Sequence, residues 1–455
     1  MKFEIIYAKR VGIAVSSKYD RCDLLDPATE VDGKEWLPCR LRNTRERILD
    51  KQCGANCRRL GNRFMILLRA VMLGTPPGCL CQLLIHQNLL PMTDLHTLQA
   101  EAGGTFDPDT GRVLSYGCDE EAIAAAMNGV ALTDRSHWGL LRVTGDDRLE
   151  FLHNQSTNDI RQLQPGTSCE TVFVTSTART IDLATVYATE DALLLLVSPS
   201  GCQTLPAWLD RYLFPADRVE IDDVSAHFAV FDAVGPGSRI LLGRLMQESL
   251  NADADRPDAP QSVALPAATH RLLTLKSGTT VRISPGCGLE LPGFTAIVPR
   301  ESAWTFWECC IAVGARPLGD RAWERLRVTQ GRPMPGSELT DDYNPLEAGL
   351  LRAISFDKGC YIGQETIARL KTYDGVKQKL WGVQLAAPIA PGTPILQDGK
   401  KVGIATSVVP TADGAIALAY VRTKLAAAGM QLTFGGANSD AATGELVSVP
   451  FLAFL

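Results

Sequence analysis

The sequence predicts a mixed α and β protein that ends in a small antiparallel β-barrel or sandwich. From residue 119 to residue 330, capped helices alternate with runs of β-branched residues separated by polar turns. Over the last 80 or so residues, strand-like runs alternate with proline and glycine turns. A chain of 455 residues that is 45% hydrophobic is neither disordered nor collagen-like. At roughly 150 residues per domain it has room for about three domains.

Charge is unevenly distributed along the chain. Residues 1–91 carry 15 Lys and Arg against 9 Asp and Glu, whereas the remaining residues carry 30 against 42. This acidic balance argues against binding nucleic acid by charge alone. The apolar runs fall short of the roughly 20 residues of a membrane helix, and the N-terminus shows no secretory signal pattern. We therefore expect no membrane partner and a cytoplasmic location, or the plastid stroma if the source is a photosynthetic eukaryote.

The cysteine pattern indicates reduced thiols. The chain has 13 cysteines, an odd number, with irregular spacings and no CxxC pair. Such spacing signals neither a zinc site, a thioredoxin-like motif nor an iron-sulfur ligand set, and the histidines are also scattered without ligand spacing. No metal ligand is therefore predicted, and the compartment is expected to be reducing.

The first 91 residues differ in composition and hydrophobic periodicity from the rest of the chain. They are basic, contain six of the cysteines, and keep neither helical nor strand periodicity for long. We expect the functional chain to begin at Met92. Residues 1–91 are then either a poorly ordered extension or an upstream-translated artefact.

Regular elements begin after Met92. Asp119 opens an acidic first turn and an alanine-rich helix that stops at Asn128-Gly129, and Leu140–Val143 is predicted to be a short strand. Asp146 or Asp147 is expected to cap the next helix. Three further strands are predicted at Thr171–Thr175, Ile181–Tyr187 and Leu193–Val197.

A second block runs from about Val219 to Arg316 and ends in a helix through Ser302–Val313. Asp320 is then expected to cap a helix from Arg321 to Gln330 that Gly331 closes. We therefore divide the chain into residues 92–372, with two subdomains at about 92–218 and 219–372, and a final domain at 373–455. The strands of that domain are predicted at Lys379–Leu385, Lys401–Ser407, Ala415–Val421 and Glu445–Phe451.

The segment most indicative of a functional site is Lys358-Gly359-Cys360-Tyr361-Ile362-Gly363-Gln364-Glu365. Gly359 and Gly363 permit a positive φ, so a tight loop can present Cys360 at its tip while Gln364 and Glu365 begin a helix. If the Lys358 ammonium lies near the sulfur, it favours the reactive thiolate. The alternative is a buried and inert cysteine.

This eight-residue segment resembles the signature of the YgfZ-type folate-binding proteins, a branch related to the T-protein (aminomethyltransferase) of the glycine cleavage system. The resemblance extends from about Leu140 to the C-terminus and includes Gly319–Leu350. Thr372–Lys379 is similar to the cyanobacterial or plastid-type branch. Residues 1–91 lie outside it.

The resemblance implies a three-domain ring around a central folate cavity, with the last domain a β-barrel. It also implies a role in iron-sulfur cluster assembly or repair, with tetrahydrofolate or a derivative as cofactor and iron-sulfur proteins or the assembly machinery as partners. Cys360 matches the cysteine that the family ties to function, and whether it attacks, ligates or packs stays open.

Three further residues match positions that T-proteins use around folate. Asp159 corresponds to an aspartate that faces the reactive folate nitrogen, where a carboxylate can stabilise positive charge; the alternative is an aspartate that terminates a helix. Arg327 corresponds to an arginine that reaches folate, although Thr329 replaces the family glutamate; the alternative is a solvated arginine on a helix face. Glu290 lies near a pterin-binding glutamate, but the local match is poor.

Three functions follow from these residues. The first is the tetrahydrofolate-binding accessory protein for iron-sulfur clusters. The second is an aminomethyltransferase that moves an aminomethyl group from a lipoyl carrier to tetrahydrofolate; Asp159 and Arg327 favour it, and the poor match at Gly286–Glu290 counts against it. The third is a non-catalytic folate-binding module.

Trp304, Trp307 and Trp323 are expected to pack in helix cores.

Overall fold

The computed structural model describes residues 94–246, 266–435 and 442–450, so the expectations for residues 1–91 lie outside the described residues. The fold is a mixture of α and β elements, as predicted. The described helices are α1 (Leu95–Glu101), α2 (Asp119–Asn128), α3 (Arg148–Gln155), α4 (Pro199–Asp210), α5 (Ser238–Met246), α6 (Ala303–Ala312), α7 (Asp320–Gln330) and α8 (Gln364–Thr372). None of these helices is long and apolar enough to cross a membrane.

Nineteen strands lie within the described residues. They are β1 (Thr105–Phe106), β2 (Val113–Ser115), β3 (Ala131–Asp134), β4 (Gly139–Thr144), β5 (Ser168–Val174), β6 (Thr180–Ala188), β7 (Ala192–Val197), β8 (Glu220–Asp223), β9 (Phe228–Val234), β10 (Arg271–Thr274), β11 (Thr280–Pro285), β12 (Gly293–Pro299), β13 (Arg316–Leu318), β14 (Gln378–Leu385), β15 (Pro394–Gln397), β16 (Lys400–Thr411), β17 (Gly414–Arg422), β18 (Gln431–Phe434) and β19 (Ala442–Val447).

Two larger sheets precede the C-terminal domain. One has six strands in the order β10-β11-β12-β9-β3-β13, and the other has five strands in the order β5-β6-β7-β4-β8. The chain enters the six-stranded sheet at β3, builds the whole five-stranded sheet, and returns at β9, which pairs antiparallel with β3. The predicted subdomain division at residues 218 and 219 is therefore not a division between sheets, because strand pairing joins residues from both sides of it.

Each sheet packs against its own helices. In the six-stranded sheet, Phe231 lies with its ring centroid 5.2 Å from that of Phe306 on α6. In the five-stranded sheet, Leu195 packs in one cluster with Leu152 of α3 and Leu205 of α4. A separate cluster joins the two sheets and α7; it includes Trp138, Leu140, Leu196, Val230, Trp323 and Leu326. The apolar strand runs seen in the sequence are thus buried from both sides.

The C-terminal domain is a closed barrel in the strand order β14-β17-β16-β15-β18-β19. The ring closes because β14 pairs with both β17 and β19. The prediction of a small antiparallel barrel is confirmed, and the sandwich alternative is wrong. Alternation places Val383, Leu385, Ala417 and Leu446 among the core side chains of the barrel.

Helix ends test the predicted caps. Helix α2 begins at Asp119 and is followed by Gly129, as predicted. Asp147 is the N-cap residue of α3, but its side chain makes no capping hydrogen bond, and its carboxylate instead accepts from the backbone and guanidinium of Arg218. Asp320 is likewise not the cap of α7: it is the first helical residue, and Gly319 is the N-cap. Gly331 closes α7 at a φ of 72°, as the sequence indicates.

Candidate functional site

The motif loop, residues 358–363, connects a short 3-10 turn to helix α8. Gly363 has a φ of 80° and is the N-cap of α8, which begins at Gln364 as predicted. Tyr361 is buried in the cluster that contacts the barrel, whereas Cys360 is exposed. Among the described cysteines, Cys360 alone is exposed, so the burial assumed in the alternative is wrong, and the reactivity of the thiol stays a prediction. Glu365 is also exposed.

Lys358 anchors this loop to the end of helix α3. Its Nζ donates to the backbone carbonyls of His153, Ser156 and Asn158 at 2.5, 2.7 and 2.8 Å. These bonds use all three N–H donors of the ammonium. These bonds go to the helix end and not to Cys360, and the expectation that the Lys358 charge favours a Cys360 thiolate stays a prediction. Burial lowers the pKa of Lys358 to about 8.

Asp159 lies just beyond the same helix end. Helix α3 stops at Gln155, so the alternative in which Asp159 terminates the helix is wrong. One carboxylate oxygen, Oδ1, lies 3.1 Å from Nδ1 of the buried His153. Burial, together with the charges of Lys358 and Arg161, lowers the pKa of His153 and keeps its imidazole neutral at physiological pH.

The backbone before Asp159 is held from two directions. The Thr157 hydroxyl donates to the carbonyl of Ala353 at 2.7 Å, and the Thr157 carbonyl accepts from the Ser355 backbone N–H at 2.9 Å. The Asn158 amide donates to the carbonyl of Glu170 on β5 at 2.7 Å. These bonds hold the backbone that leads to Asp159, and the Lys358 bonds join that backbone to the loop that carries Cys360.

Arg327 is buried, with 1% of its side chain exposed. Its guanidinium binds both carboxylate oxygens of Glu324, one oxygen of Glu338, the carbonyl of Arg332 and the hydroxyl of Ser407 in the barrel. These five bonds match the five N–H donors of arginine. The geometry therefore favours neither the predicted folate contact nor the solvated helix face, and Arg327 instead joins α7 to the barrel.

Glu290 lies in the turn between β11 and β12 and has 51% of its side chain exposed. Its nearest cation is Arg352, 3.4 Å away and itself 86% exposed. Such a pair is screened by water and holds neither side chain in a defined place. Cys287, three residues earlier, is fully buried and donates to the carbonyl of Leu291. The structure thus places Glu290 on the surface.

A cavity of about 670 Å³ lies between α2, α7 and barrel strand β16. That volume is in the range of small-molecule sites. None of Asp159, Glu290, Arg327 and Cys360 lines it. Its walls instead combine aromatic, aliphatic and charged side chains; they include Arg112, Ile123, Arg135, His137, Trp138, Asp320, Trp323, Glu324, Met334 and Val408.

The inner wall of the cavity is an arginine between two indoles. The guanidinium carbon of Arg135 lies 3.6 Å from the ring centroid of Trp138 and 4.9 Å from that of Trp323. Its Nη1 binds the fully buried Asp232 at 2.5 Å. Trp323, which the sequence placed in a helix core, is 8% exposed, and its buried Nε1 has no partner among the described residues. A buried N–H without an acceptor is costly.

Asp320 supplies a carboxylate to the same cavity. Burial raises the pKa of Asp320 to about 6; Asp134 and Glu324 add to the shift, and Arg112 and Arg135 oppose it. Arg112 lies 3.0 Å from Oδ2, but that buried atom accepts no hydrogen bond from the described residues. Sequence reasoning missed this role because an acidic residue at a helix start is explained by capping alone.

A narrow crevice continues inward from the cavity and shares Arg135, Trp138 and Trp323 with it. Arg332 lines the crevice and forms an ion pair of 2.7 Å with Glu170, whose carbonyl also accepts the Asn158 amide. Contacts through Arg332, Glu170 and Asn158 therefore connect the crevice wall to the backbone next to Asp159. Among the described residues, no group of three or more His, Cys, Asp or Glu side chains is placed to hold a metal ion.

Comparisons with known proteins agree with this architecture. Residues 105–358 match the family model described as the GCVT N-terminal domain, and residues 378–452 match the glycine cleavage T-protein C-terminal barrel domain. A putative chloroplastic transferase of Arabidopsis thaliana is 42% identical over 77% of this chain and 78% of its own length. An aminomethyltransferase of Geobacillus thermodenitrificans is 31% identical over 70% of this chain and 86% of its own length.

Among solved structures, the crystal structure of glycine cleavage system aminomethyltransferase T from Bartonella henselae superposes with a TM-score of 0.67. It covers 80% of this chain and 98% of its own, at 19% identity. At that identity the likeness concerns the fold, and it confirms the predicted fold class.

Proposed function

The chain belongs to the glycine cleavage T-protein family, and from that premise we propose that it is a tetrahydrofolate-binding accessory protein of the YgfZ type. In this proposal it supports the assembly or repair of iron-sulfur clusters. The observation that carries it is the set of Lys358 bonds, which join the loop of the exposed Cys360 to the backbone just before Asp159.

The cavity fits a reduced folate in size and in chemistry. It offers about 670 Å³, indole surfaces on which a flat ring can lie, and a buried indole N–H that lacks an acceptor. Bound tetrahydrofolate would supply a nitrogen able to accept a one-carbon unit. Asp159 does not line this cavity; the Arg332–Glu170 pair and the Asn158 amide connect the crevice wall to the backbone next to Asp159.

Cys360 is the group that this chain offers to a partner protein. Its exposure permits direct contact with another macromolecule, while buried Tyr361 and Lys358 hold the loop on either side of it. Because the Lys358 ammonium is committed to three carbonyls, the contribution of the loop is to position the thiol. An iron-sulfur protein or a component of the assembly machinery is the partner that we propose.

The test replaces Cys360 by Ala and by Ser in cells that lack the endogenous protein. We expect both variants to fold and to lose support of cluster-dependent enzymes, measured as their specific activities. Cys118→Ala, at a half-buried cysteine, is the matched control and should retain full support. If Cys360→Ala supports the enzymes as well as the unaltered chain does, the role assigned to this thiol is wrong.

A second candidate is aminomethyl transfer, favoured by relatives that carry the name aminomethyltransferase. Asp159 is retained, while Glu290 is exposed and Arg327 is committed to the barrel. The purified chain, tetrahydrofolate and an aminomethyl-lipoyl carrier distinguish the two functions. Ammonia release at enzymatic rates would establish the transferase. Folate binding without ammonia release and without support of cluster enzymes would indicate the non-catalytic module.

The relative from Arabidopsis thaliana is described as chloroplastic. We propose the plastid stroma as the location of this protein in a photosynthetic eukaryote, and the cytoplasm otherwise. Fluorescence of the full chain carrying a C-terminal fluorescent protein tests the location.

A further inference from the structure

The first turns of helix α7 place two buried polar atoms without a hydrogen bond at the cavity. Nε1 of Trp323 donates no hydrogen bond among the described residues, and Oδ2 of Asp320 accepts none, although Arg112 forms an ion pair with it at 3.0 Å. Both residues line the cavity and are three positions apart on α7, which places them on one face of the helix. Because buried polar atoms are satisfied in most folded proteins, an adjacent acceptor and donor indicate a ligand that supplies the complementary pair.

The surroundings restrict the shape of that ligand. The rings of Trp138 and Trp323 and the side chains of Ile123 and Met334 give the cavity flat, apolar surfaces. Such surfaces suit a planar ring system, while its polar edge meets the few hydrogen-bonding groups. At the outer end, Arg321 is exposed and also lines the cavity, so the ligand can carry an anionic tail.

The aminopyrimidinone edge of a pterin has the required pattern. Its amino group and ring N–H are adjacent donors, which a carboxylate accepts in a two-point contact, and its carbonyl is an acceptor next to them. We propose that Asp320 and Trp323 recognise this edge: Asp320 accepts from the two N–H groups, and the Trp323 indole donates to the carbonyl. This inference rests on the proposed folate function and names the residues that select the pterin.

Asp320 then takes the place that the sequence assigned to Glu290. Glu290 lies on the surface beside Arg352 and does not line the cavity. Asp320 is inside it, with 23% of its side chain exposed. His137 also lines the cavity; burial and the charges of Arg135 and Arg112 lower its pKa to about 3. The other carboxylates that line the cavity already have partners: Asp119 accepts from Ser115, Glu120 pairs with Arg325, and Glu324 pairs with Arg327.

Calorimetric titration of the full chain with three ligands tests the assignment. The ligands are tetrahydrofolate, tetrahydrobiopterin as a reduced pterin without the glutamate tail, and p-aminobenzoylglutamate as the tail without the pterin. In Asp320→Asn we expect affinity for the first two to fall about 10- to 100-fold, since a hydrogen-bonded charge is lost. Affinity for the tail fragment should stay unchanged. Trp323→Phe keeps the ring, removes the donor, and should weaken pterin binding about 3- to 10-fold.

Glu290→Gln is the matched control, since it also neutralises one carboxylate, and it should bind all three ligands as the unaltered chain does. If the unaltered chain binds tetrahydrofolate and Asp320→Asn binds it equally well, the assignment fails while the folate function stands. A uniform loss for all three ligands also overturns it, because the effect would not be specific to the pterin edge. If the unaltered chain binds none of them, the proposed function fails, and this inference with it.

Discussion

Replacing Arg327 by Met tests whether this arginine is a structural link or a ligand contact. The guanidinium makes five bonds, and Glu338 on the other side of the network is fully buried. Removing the cation leaves the buried Glu338 without its ion-pair partner, and among the described residues only the Met334 backbone N–H and the Ser407 hydroxyl still donate to its carboxylate. Loss of one member of a buried ion pair costs about 3–5 kcal/mol. We therefore expect the free energy of unfolding to fall by that amount.

The measurement is urea unfolding followed by circular dichroism, together with tetrahydrofolate titration under native conditions. Arg325→Met is the matched control, because Arg325 lies two positions earlier on α7 and pairs with Glu120 at the surface. It should cost less than about 1 kcal/mol. The double variant Arg327→Met/Glu338→Leu removes both buried charges and should recover most of the lost stability.

Two results would refute this reasoning. One is an Arg327→Met variant that unfolds like the unaltered chain yet loses folate affinity, since the guanidinium would then face the ligand. The other is a double variant that is less stable than the single one, since Glu338 would then not be the source of the cost.

Three further predictions concern α7 and the motif loop. Because burial raises the pKa of Asp320 to about 6, the folded chain loses stability as pH rises through that value. In urea unfolding, the free energy of unfolding of Asp320→Asn should be about 1–3 kcal/mol larger than that of the unaltered chain at pH 8 and equal to it near pH 3.5. Lys358→Met leaves three carbonyls at a helix end without donors; hydrogen exchange should speed up at residues 153–159 and 358–363, while Lys371→Met, at an exposed lysine, should leave both segments protected. Gly363→Ala meets both a positive φ and the backbone carbonyl of Thr175, 2.7 Å from the new Cβ, whereas Gly278→Ala meets only the positive φ. In chemical denaturation Gly363→Ala should lower the free energy of unfolding by about 1–3 kcal/mol more than Gly278→Ala does, and equal costs would contradict the close contact.

Local patterns predicted the local structure well. The alternation of strand-like runs with proline and glycine turns predicts an antiparallel barrel or sandwich, because it is a local pattern; closure into a barrel depends on the pairing of β14 with β17 and β19, which are distant in sequence. The acidic first turn of α2 and its closing Gly129 are explained by groups within a few residues of one another. In the motif loop, Gly363 and the start of α8 were predictable for the same reason.

Contacts across long sequence separations were not predictable. The carboxylate of Asp320 faces Arg112, which the fold brings from far along the chain, and no local pattern reveals that this makes Asp320 a cavity residue. The sequence offered Arg327 as a folate contact or a solvated helix-face residue, because its actual partners, Glu338 and Ser407, come from the loop after α7 and from β16. Lys358 looked like a neighbour of Cys360, but its bonds are made to carbonyls about 200 residues earlier.

The link between α7 and the barrel has a consequence for exchanging domains among relatives. Ser407 binds Arg327, which holds Glu324 in the cavity wall, and the next barrel residues, Val408 to Pro410, form part of that wall themselves. The barrel therefore forms one wall of the cavity. In a chimera that carries the barrel of another family member, we expect altered ligand preference even though every residue from 94 to 377 is unchanged.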